Sequence, residues 1–185
     1  AQTAGIGLES IGVLTDRGAI VTNDQLRTNV SGVWAAGDVN GKLMLAHTAY
    51  REGEVAVNDM LGKKDCINYD AIPSVIYTNP EVGAVGETEE SAKAKGIDVI
   101  AKTVTMKMSG RYIAENEGGD GILKLIVGKE HKNILGVHMI GNYSSEAIYG
   151  AAMMVNKQMR IDDAKKQVFP HPTVCEVLRE AINEF

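Results

Sequence analysis

The residues best suited to chemistry lie near the end of the chain, where Pro170 and Pro172 bracket His171. Proline fixes its own φ angle and restricts the residue before it, so the backbone on both sides of this histidine is constrained. Histidine titrates near neutral pH and is the usual proton-transfer group of enzymes. Glu176 follows closely and can orient the imidazole and favour its charged form. The pair therefore predicts an acid–base site.

The same stretch also has a structural interpretation. Thr173 and Glu176 have the spacing of a capping box, in which each side chain satisfies a backbone amide at the start of a helix. From the pattern alone this structural interpretation is the stronger one. The two are compatible, because a capped helix start can hold Glu176 within reach of His171.

A second candidate follows the apolar run of residues 33–36, which ends at Gly37 and Asp38. A short apolar run stopped by Gly-Asp predicts a buried strand, which would place the Asp38 carboxylate at the carboxyl end of a sheet, where α/β folds bind ligands. The carboxylate could accept hydrogen bonds from ribose-like hydroxyls, and an ordinary turn aspartate is an equally good interpretation. Residues 44–47 then open a predicted helix, whose free N–H groups suit an anion or an electron-rich ring.

The elements that must position these residues follow from periodicity and turn signals. After residue 70 the strands and helices segregate, which predicts an α+β module with an antiparallel sheet flanked by helices. A polar, unpatterned stretch at 63–70 predicts a domain boundary, with domains at 1–68 and 69–185. The predicted strands are 18–22, 33–36, 74–78, 97–108 and the hairpin 122–127 with 134–140; the predicted helices are 46–61, 88–95, 144–157, 162–166 and 173 to the end.

Composition excludes several functions. The 185 residues include 19 basic and 24 acidic side chains, a formal net charge of −5, and no basic cluster that would suit nucleic acid or an anionic membrane. Cys66 and Cys175 are too far apart in sequence for a paired redox motif or a disulfide framework, which fits a reducing compartment. The four histidines lack metal-ligand spacing, so no metal site is predicted.

Seven segments, in order along essentially the whole chain, resemble one family, the flavin-dependent pyridine nucleotide–disulfide oxidoreductases. Any one segment would be a weak signal, whereas the ordered set is highly specific. The segments are Gly-Leu-Glu at 7–9, Leu-Arg-Thr-Asn-Val at 26–30, Ala-Gly-Asp-Val at 36–39, Met-Leu-Ala-His at 44–47, Tyr-Thr-Asn-Pro-Glu at 77–81, Gly-Val-His at 136–138 and His-Pro-Thr-Val-Cys-Glu at 171–176.

The resemblance implies a partial FAD site in residues 1–68, which correspond to a central domain of the family. In such proteins the aspartate of the Gly-Asp motif binds the ribityl chain of FAD, a role that maps to Asp38. The segment beside the isoalloxazine ring maps to Met44, Leu45, Ala46 and His47.

The resemblance also implies catalytic roles in residues 69–185, which correspond to the interface, or dimerisation, domain. The histidine of the His-Pro-Thr motif is the acid–base group in this family and maps to His171, oriented by Glu176. Pro172 is expected to follow a cis peptide bond. The lipoamide type of the family fits best: it forms a homodimer, oxidises dihydrolipoamide within 2-oxo acid dehydrogenase complexes, and uses FAD and NAD.

Departures from the family pattern limit what the chain alone would do. It lacks the two Gly-rich nucleotide fingerprints and the Cys-x4-Cys redox pair, so we expect a C-terminal portion of a longer enzyme that is inactive by itself. Glutathione reductase relatives, which show a second glutamate where Val177 stands, and other disulfide reductases are alternatives, as is a non-catalytic dimerisation or partner-binding module. The expected compartment is the cytoplasm, or the mitochondrial matrix in a eukaryote.

Overall fold

In a computed structural model, which describes residues 1–185, the chain divides into one unit formed by Ala1–Tyr69 and another formed by Asp70–Phe185. The division lies one residue from the predicted boundary at 68/69. None of the helices is long and apolar enough to cross a membrane.

The first unit is built around one long helix and several loops. Leu26, Val55 and Ala56 form a small buried cluster against which Trp34 packs, and Val13, Ile20 and Ala35 form a second cluster. Its elements are the 3-10 turns Leu8–Ile11 and Asp38–Asn40, the strands β1 (Thr15–Asp16) and β2 (Ala19–Ile20), and the helix α1 (Ala46–Met60).

The strand predicted over residues 33–36 is wrong. Trp34 forms only an isolated bridge with Arg27, and the residues around it are a loop. The physical reason is that Gly32 and Gly37 on either side both have positive φ, 81° and 84°, which ends the extended backbone before a ladder can form. The predicted strand at 18–22 is likewise reduced to β2, which pairs with β1.

The second unit contains a five-stranded antiparallel sheet in the order β3-β4-β7-β6-β5, as the fold class predicted. The predicted hairpin forms between β6 and β7. The strands are β3 (Ser74–Ile76), β4 (Val82–Gly86), β5 (Val99–Thr105), β6 (Ile122–Gly128) and β7 (Ile134–Ile140); the helices are α2 (Glu89–Ala94), α3 (Gly110–Asn116), α4 (Ser144–Asn156), α5 (Ile161–Ala164) and α6 (Glu176–Asn183), with 3-10 turns at Tyr69–Ala71 and Met106–Met108.

The core of this unit lies between the sheet and two helices. Leu123 and Leu125 of β6 are opposite Met139 and Val137 of β7, and all four are buried. Helix α4 packs on β4 and β7, while α6 packs on β5 and β6. Buried and more exposed side chains alternate over residues 122–125 of β6 and 137–140 of β7, and the buried ones belong to the same core cluster as the apolar side chains of α6, the helix that begins at Glu176.

One strand and one α-helix of the second unit, β4 and α3, were not predicted from the sequence. Strand β4 reads Val-Gly-Ala-Val-Gly, and glycine-rich runs have little strand propensity. Helix α3 is short and starts at a glycine; its N-cap is Ser109, whose hydroxyl accepts from the N–H of Tyr112. The predicted helix at 88–95 is confirmed as α2, with Thr88 as its N-cap.

Strand pairing between β4 and β7 requires glycine at one crowded position. Gly136 is opposite Gly86, and a Cβ added at Gly136 would lie 2.0 Å from the carbonyl oxygen of Glu87. That oxygen is already held by Nε2 of His138 at 2.9 Å, so it cannot move away freely. His138 is therefore a packed, hydrogen-bonded histidine of the sheet, as its apolar surroundings in the sequence indicate.

Gly136→Ala should lower the free energy of unfolding by roughly 1–3 kcal/mol, because the added methyl must displace backbone in a paired strand. Gly150 of α4 is the matched control, since a Cβ there meets no atom within 4 Å. Gly150→Ala should raise stability by roughly 0.5–1 kcal/mol through helix propensity. Urea denaturation followed by circular dichroism measures both, and a shift of the two variants in the same direction would contradict the packing argument.

Candidate active site

His171 lies in an exposed loop that leads into α6. Its side chain is 81% exposed, and the peptide bond between His171 and Pro172 is cis, as expected. Nδ1 of the ring lies 3.0 Å from Oε1 and 3.2 Å from Oε2 of Glu176. The structure therefore brings the two residues of the predicted acid–base pair into direct contact.

Glu176 is the first residue of α6, and its side chain is only 11% exposed. Its Oε2 accepts a hydrogen bond from the N–H of Thr173 at 2.8 Å. This amide, then the hydrogen bond from His171, outweigh burial and hold the pKa of the Glu176 carboxyl below its usual range, with Arg179 adding a weaker attraction. A negative charge in the first turn also complements the helix dipole.

An ionised Glu176 determines which ring nitrogen of His171 carries a proton and which is free to accept one. A carboxylate can only accept hydrogen bonds, so the nitrogen facing it, Nδ1, carries the proton. In the neutral ring Nε2 then holds the free lone pair. The arrangement can take a proton at Nε2 and stabilise the resulting imidazolium through Glu176.

The predicted capping box is only half formed. The Glu176 carboxylate does accept the N–H of Thr173, but the Thr173 hydroxyl donates to the carbonyl of Pro170 at 2.7 Å and does not cap the helix. Helix α6 begins at Glu176 after Cys175, three residues later than predicted. The hydroxyl is consumed in closing the proline loop, so the structural and the chemical interpretations of this motif share the same carboxylate.

In the first unit, Asp38 opens a 3-10 turn and its side chain is exposed. Gly37 before it has φ 84° and ψ −162°, a conformation essentially restricted to glycine. A Cβ at Gly37 would also press on Ala49 of α1 at 3.3 Å. The turn thus lies close to α1 and presents the Asp38 carboxylate outward.

The side chain that fixes this turn is Glu52, which the sequence analysis did not identify. It is fully buried in α1 and accepts hydrogen bonds from the N–H of Gly37 at 2.5 Å, the amide of Asn40 at 2.8 Å and the hydroxyl of Tyr69 at 2.6 Å. Burial, then the Glu52 carboxylate, raise the pKa of Tyr69 well above its usual range. The one available signal was a glutamate on the buried face of an amphipathic helix.

The remaining predicted residues lie where α1 begins. Met44, Ala46 and His47 are exposed, and Leu45 is half-buried in extended backbone as the N-cap residue. Leu45 provides no side-chain cap. The first turn of α1 accordingly presents backbone N–H groups next to an exposed apolar side chain, Met44, within the same unit as the Asp38 turn.

Comparison with known proteins decides the family. Residues 72–182 match the family model described as Pyridine nucleotide-disulphide oxidoreductase, dimerisation domain, and residues 1–53 match that of Pyridine nucleotide-disulphide oxidoreductase. The chain belongs to the pyridine nucleotide–disulfide oxidoreductases. The second unit, which contains the five-stranded sheet, is accordingly the dimerisation domain of this family.

Individual relatives agree with this oxidoreductase family. The chain is 40% identical over 181 residues to the mitochondrial dihydrolipoyl dehydrogenase of Pisum sativum, covering 97% of this chain and 36% of the relative. It is 39% identical to the leghemoglobin reductase of Glycine max, covering 97% and 34%. The fold matches LpdA from Mycobacterium tuberculosis with a TM-score of 0.91 at 24% identity, covering 98% of this chain and 40% of that one. The chain thus spans about a third of the curated relatives' length.

These comparisons assign the oxidoreductase family and its dimerisation domain. The functional roles stay predictions for the site residues whose positions are described above, namely His171, Glu176, Asp38 and residues 44–47.

Glu52→Ala should destabilise the first unit by roughly 1–3 kcal/mol for each buried donor left without an acceptor. Glu54→Ala, on the same helix with a side chain 66% exposed, is the control and should change little. Trp34 is the single tryptophan and lies in the first unit, so its fluorescence during denaturation reports on that unit. Equal midpoints for the two variants would show that Glu52 does not hold the Gly37 turn.

The lowered pKa of Glu176 predicts a specific pH dependence of stability. A carboxyl whose pKa is lower in the folded state stabilises the fold above its unfolded pKa, and the contribution disappears as pH falls through the folded pKa. The stability difference between the wild-type chain and Glu176→Gln should therefore be largest near neutral pH and shrink below about pH 4.5, the ordinary value. Denaturation curves across this range measure it, with Glu130→Gln in the hairpin turn as a surface control. A difference that grows on acidification would have the wrong sign.

Proposed function

We propose that this chain is the C-terminal part of a dihydrolipoyl dehydrogenase and supplies its acid–base pair and its dimer interface. The observation that carries the proposal is the contact of Nδ1 of His171 with the Glu176 carboxylate, which leaves Nε2 as an exposed base. The 40% identity to the pea enzyme supports the substrate class. An exposed and oriented imidazole is not needed by a module that serves dimerisation alone.

In the proposed reaction, Nε2 of His171 takes the proton of a dihydrolipoamide thiol. The thiolate sulfur then bonds to one sulfur of a redox disulfide, and the other sulfur leaves as a thiolate. The second lipoamide thiol gives its proton to the protein thiolate that left first. Its sulfur then bonds to the lipoamide sulfur of the mixed disulfide, and the bond to the protein sulfur breaks, so that this sulfur also leaves as a thiolate. Lipoamide is thereby oxidised and the protein disulfide is reduced by two electrons. Glu176 stabilises the imidazolium throughout, as the third member of a catalytic triad does.

The redox disulfide is proposed to belong to a part of the protein outside this chain, since Cys66 and Cys175 are both free thiols. We further propose that the intact protein is a homodimer through residues 69–185 and that His171 acts across the interface on the partner's disulfide. Partners would be the 2-oxo acid dehydrogenase components that carry lipoamide. The compartment would be the cytoplasm or, in a eukaryote, the mitochondrial matrix.

The residues of the first unit fit part of an FAD site. The exposed carboxylate of Asp38 can accept hydrogen bonds from the ribityl hydroxyls, and the turn that carries it is fixed by Glu52. Met44, Leu45, Ala46 and His47 would lie beside the flavin ring. FAD, when bound, supplies the two-electron relay from dithiol to NAD, whose own site we place outside this chain.

His171→Gln in the full-length protein should lower the rate of dihydrolipoamide oxidation by about 10²–10⁴-fold, because the thiol loses its general base. NAD reduction at saturating dihydrolipoamide measures this rate. His131→Gln is the matched control, since His131 is 74% exposed in the hairpin turn, and it should leave turnover unchanged.

Near-normal turnover in His171→Gln would overturn the assignment of the base. A wild-type enzyme that reduces other disulfides but leaves dihydrolipoamide untouched would instead favour another disulfide reductase of the family.

A further inference from the structure

Ser109, the N-cap residue of α3, connects this helix to the loop of residues 170–175 that precedes α6, here called the catalytic loop. Its hydroxyl, in a residue only 1% exposed, donates to the carbonyl oxygen of Thr173 at 2.8 Å, across 64 positions of sequence. The hydroxyl oxygen of Ser109 also accepts a hydrogen bond from the N–H of Tyr112 at 3.2 Å, as the N-cap of α3. We propose that Ser109 is a positioning residue for the pair His171 and Glu176 and acts through the backbone of Thr173.

Thr173 is the residue through which such an effect must pass. Its N–H holds Oε2 of Glu176, its hydroxyl holds the carbonyl of Pro170, and its own carbonyl is held by Ser109. Without Ser109, the carbonyl of Thr173 loses its donor. The backbone dihedral angles at the Cα of Thr173, which joins this carbonyl to the N–H of the preceding peptide group, are then less constrained. The N–H that holds the Glu176 carboxylate then loses its fixed direction, and the carboxylate loses its fixed distance from His171.

Ser109 is itself held firmly enough to serve as an anchor. Its N–H donates to the carbonyl of Met106 at 3.1 Å, and its carbonyl accepts from Ile113 at 3.2 Å. Met106 is fully buried in the core, and the turn Met106–Met108 packs against α6. The anchor and the helix that carries Glu176 therefore belong to one packed body.

Helix α3 and the catalytic loop also line one cavity. It has a volume of about 320 Å³, with Arg111 and Glu115 of α3 on its wall together with residues 173–175 of the loop. The bond from Ser109 to Thr173 lies where these two segments join. If α3 and the loop separated, this hydrogen bond would be lost and the direction of the loop would change.

The kinetic part of this inference rests on the proposed function. In the full-length protein, Ser109→Ala should lower kcat for dihydrolipoamide oxidation by about tenfold, the effect expected from losing one buried hydrogen bond that orients the base. KM for NAD should not change. Thr88→Ala is the matched control, because it also removes an N-cap hydroxyl from the second unit, at α2, without touching the loop.

A second readout does not depend on activity. The amide of Thr173, protected by Glu176, should exchange with deuterium about tenfold faster in Ser109→Ala than in the wild-type protein or in Thr88→Ala. Hydrogen-exchange mass spectrometry with fragmentation resolves this single amide between Pro172 and Val174. Should Ser109→Ala fail to fold, Ser109→Gly removes the same donor, and glycine is tolerated at an N-cap.

Faster exchange at Thr173 together with the loss of kcat supports the positioning role. Unchanged exchange overturns the inference, whether or not the wild-type protein oxidises dihydrolipoamide. Faster exchange with normal kcat also overturns it, because Thr173 would then be loosened without consequence for the base. A wild-type protein that shows no dihydrolipoamide oxidation defeats the proposed function, and the exchange result still decides whether Ser109 holds the loop.

Discussion

The carboxylate of Glu176 is the group on which the geometry of the loop around His171 depends. It receives Nδ1 of His171 on one side and the N–H of Thr173 on the other, while its own backbone begins α6. A neutral side chain at this position could not fix the ring tautomer, because an amide can face Nδ1 with either its oxygen or its nitrogen. The charge is retained because a backbone amide and a helix N-terminus both favour it, in a position where burial opposes it.

The first unit uses the same device for a different purpose. Glu52 also projects from a helix and receives a backbone N–H, that of Gly37, from a loop that could not fix itself. The loop at His171 is constrained by Pro170 and Pro172, and the turn at Asp38 depends on the positive φ angle of Gly37. In both, a buried carboxylate fixes a backbone turn and thereby the direction of an exposed side chain, His171 or Asp38.

Sequence patterns recovered those parts of the molecule that local chemistry determines. The hairpin of β6 and β7, helix α2 with its Thr88 cap, and the proximity of His171 to Glu176 all follow from spacing within a few residues. What sequence could not reveal depends on long-range contacts. Strand β4 exists because β7 pairs with it despite its glycines, and Glu52 and Ser109 gain their roles from partners 15 and 64 positions away. The false strand at 33–36 shows the converse, since its apolar run forms only the isolated bridge between Trp34 and Arg27 and has no neighbouring strand to complete a ladder.

The orientation of α6 links the hydrophobic core of the second unit to the contact between Glu176 and His171. Val177, Leu178, Ala181 and Ile182 are all buried, so the helix can present only one face to the sheet. Because Glu176 is the first residue of that helix, its direction is set by the same packing that stabilises the domain. A core substitution that rotates α6 by even part of a turn would therefore move the carboxylate relative to His171 without touching either residue. The geometry of the proposed acid–base pair therefore depends on the hydrophobic core beneath it.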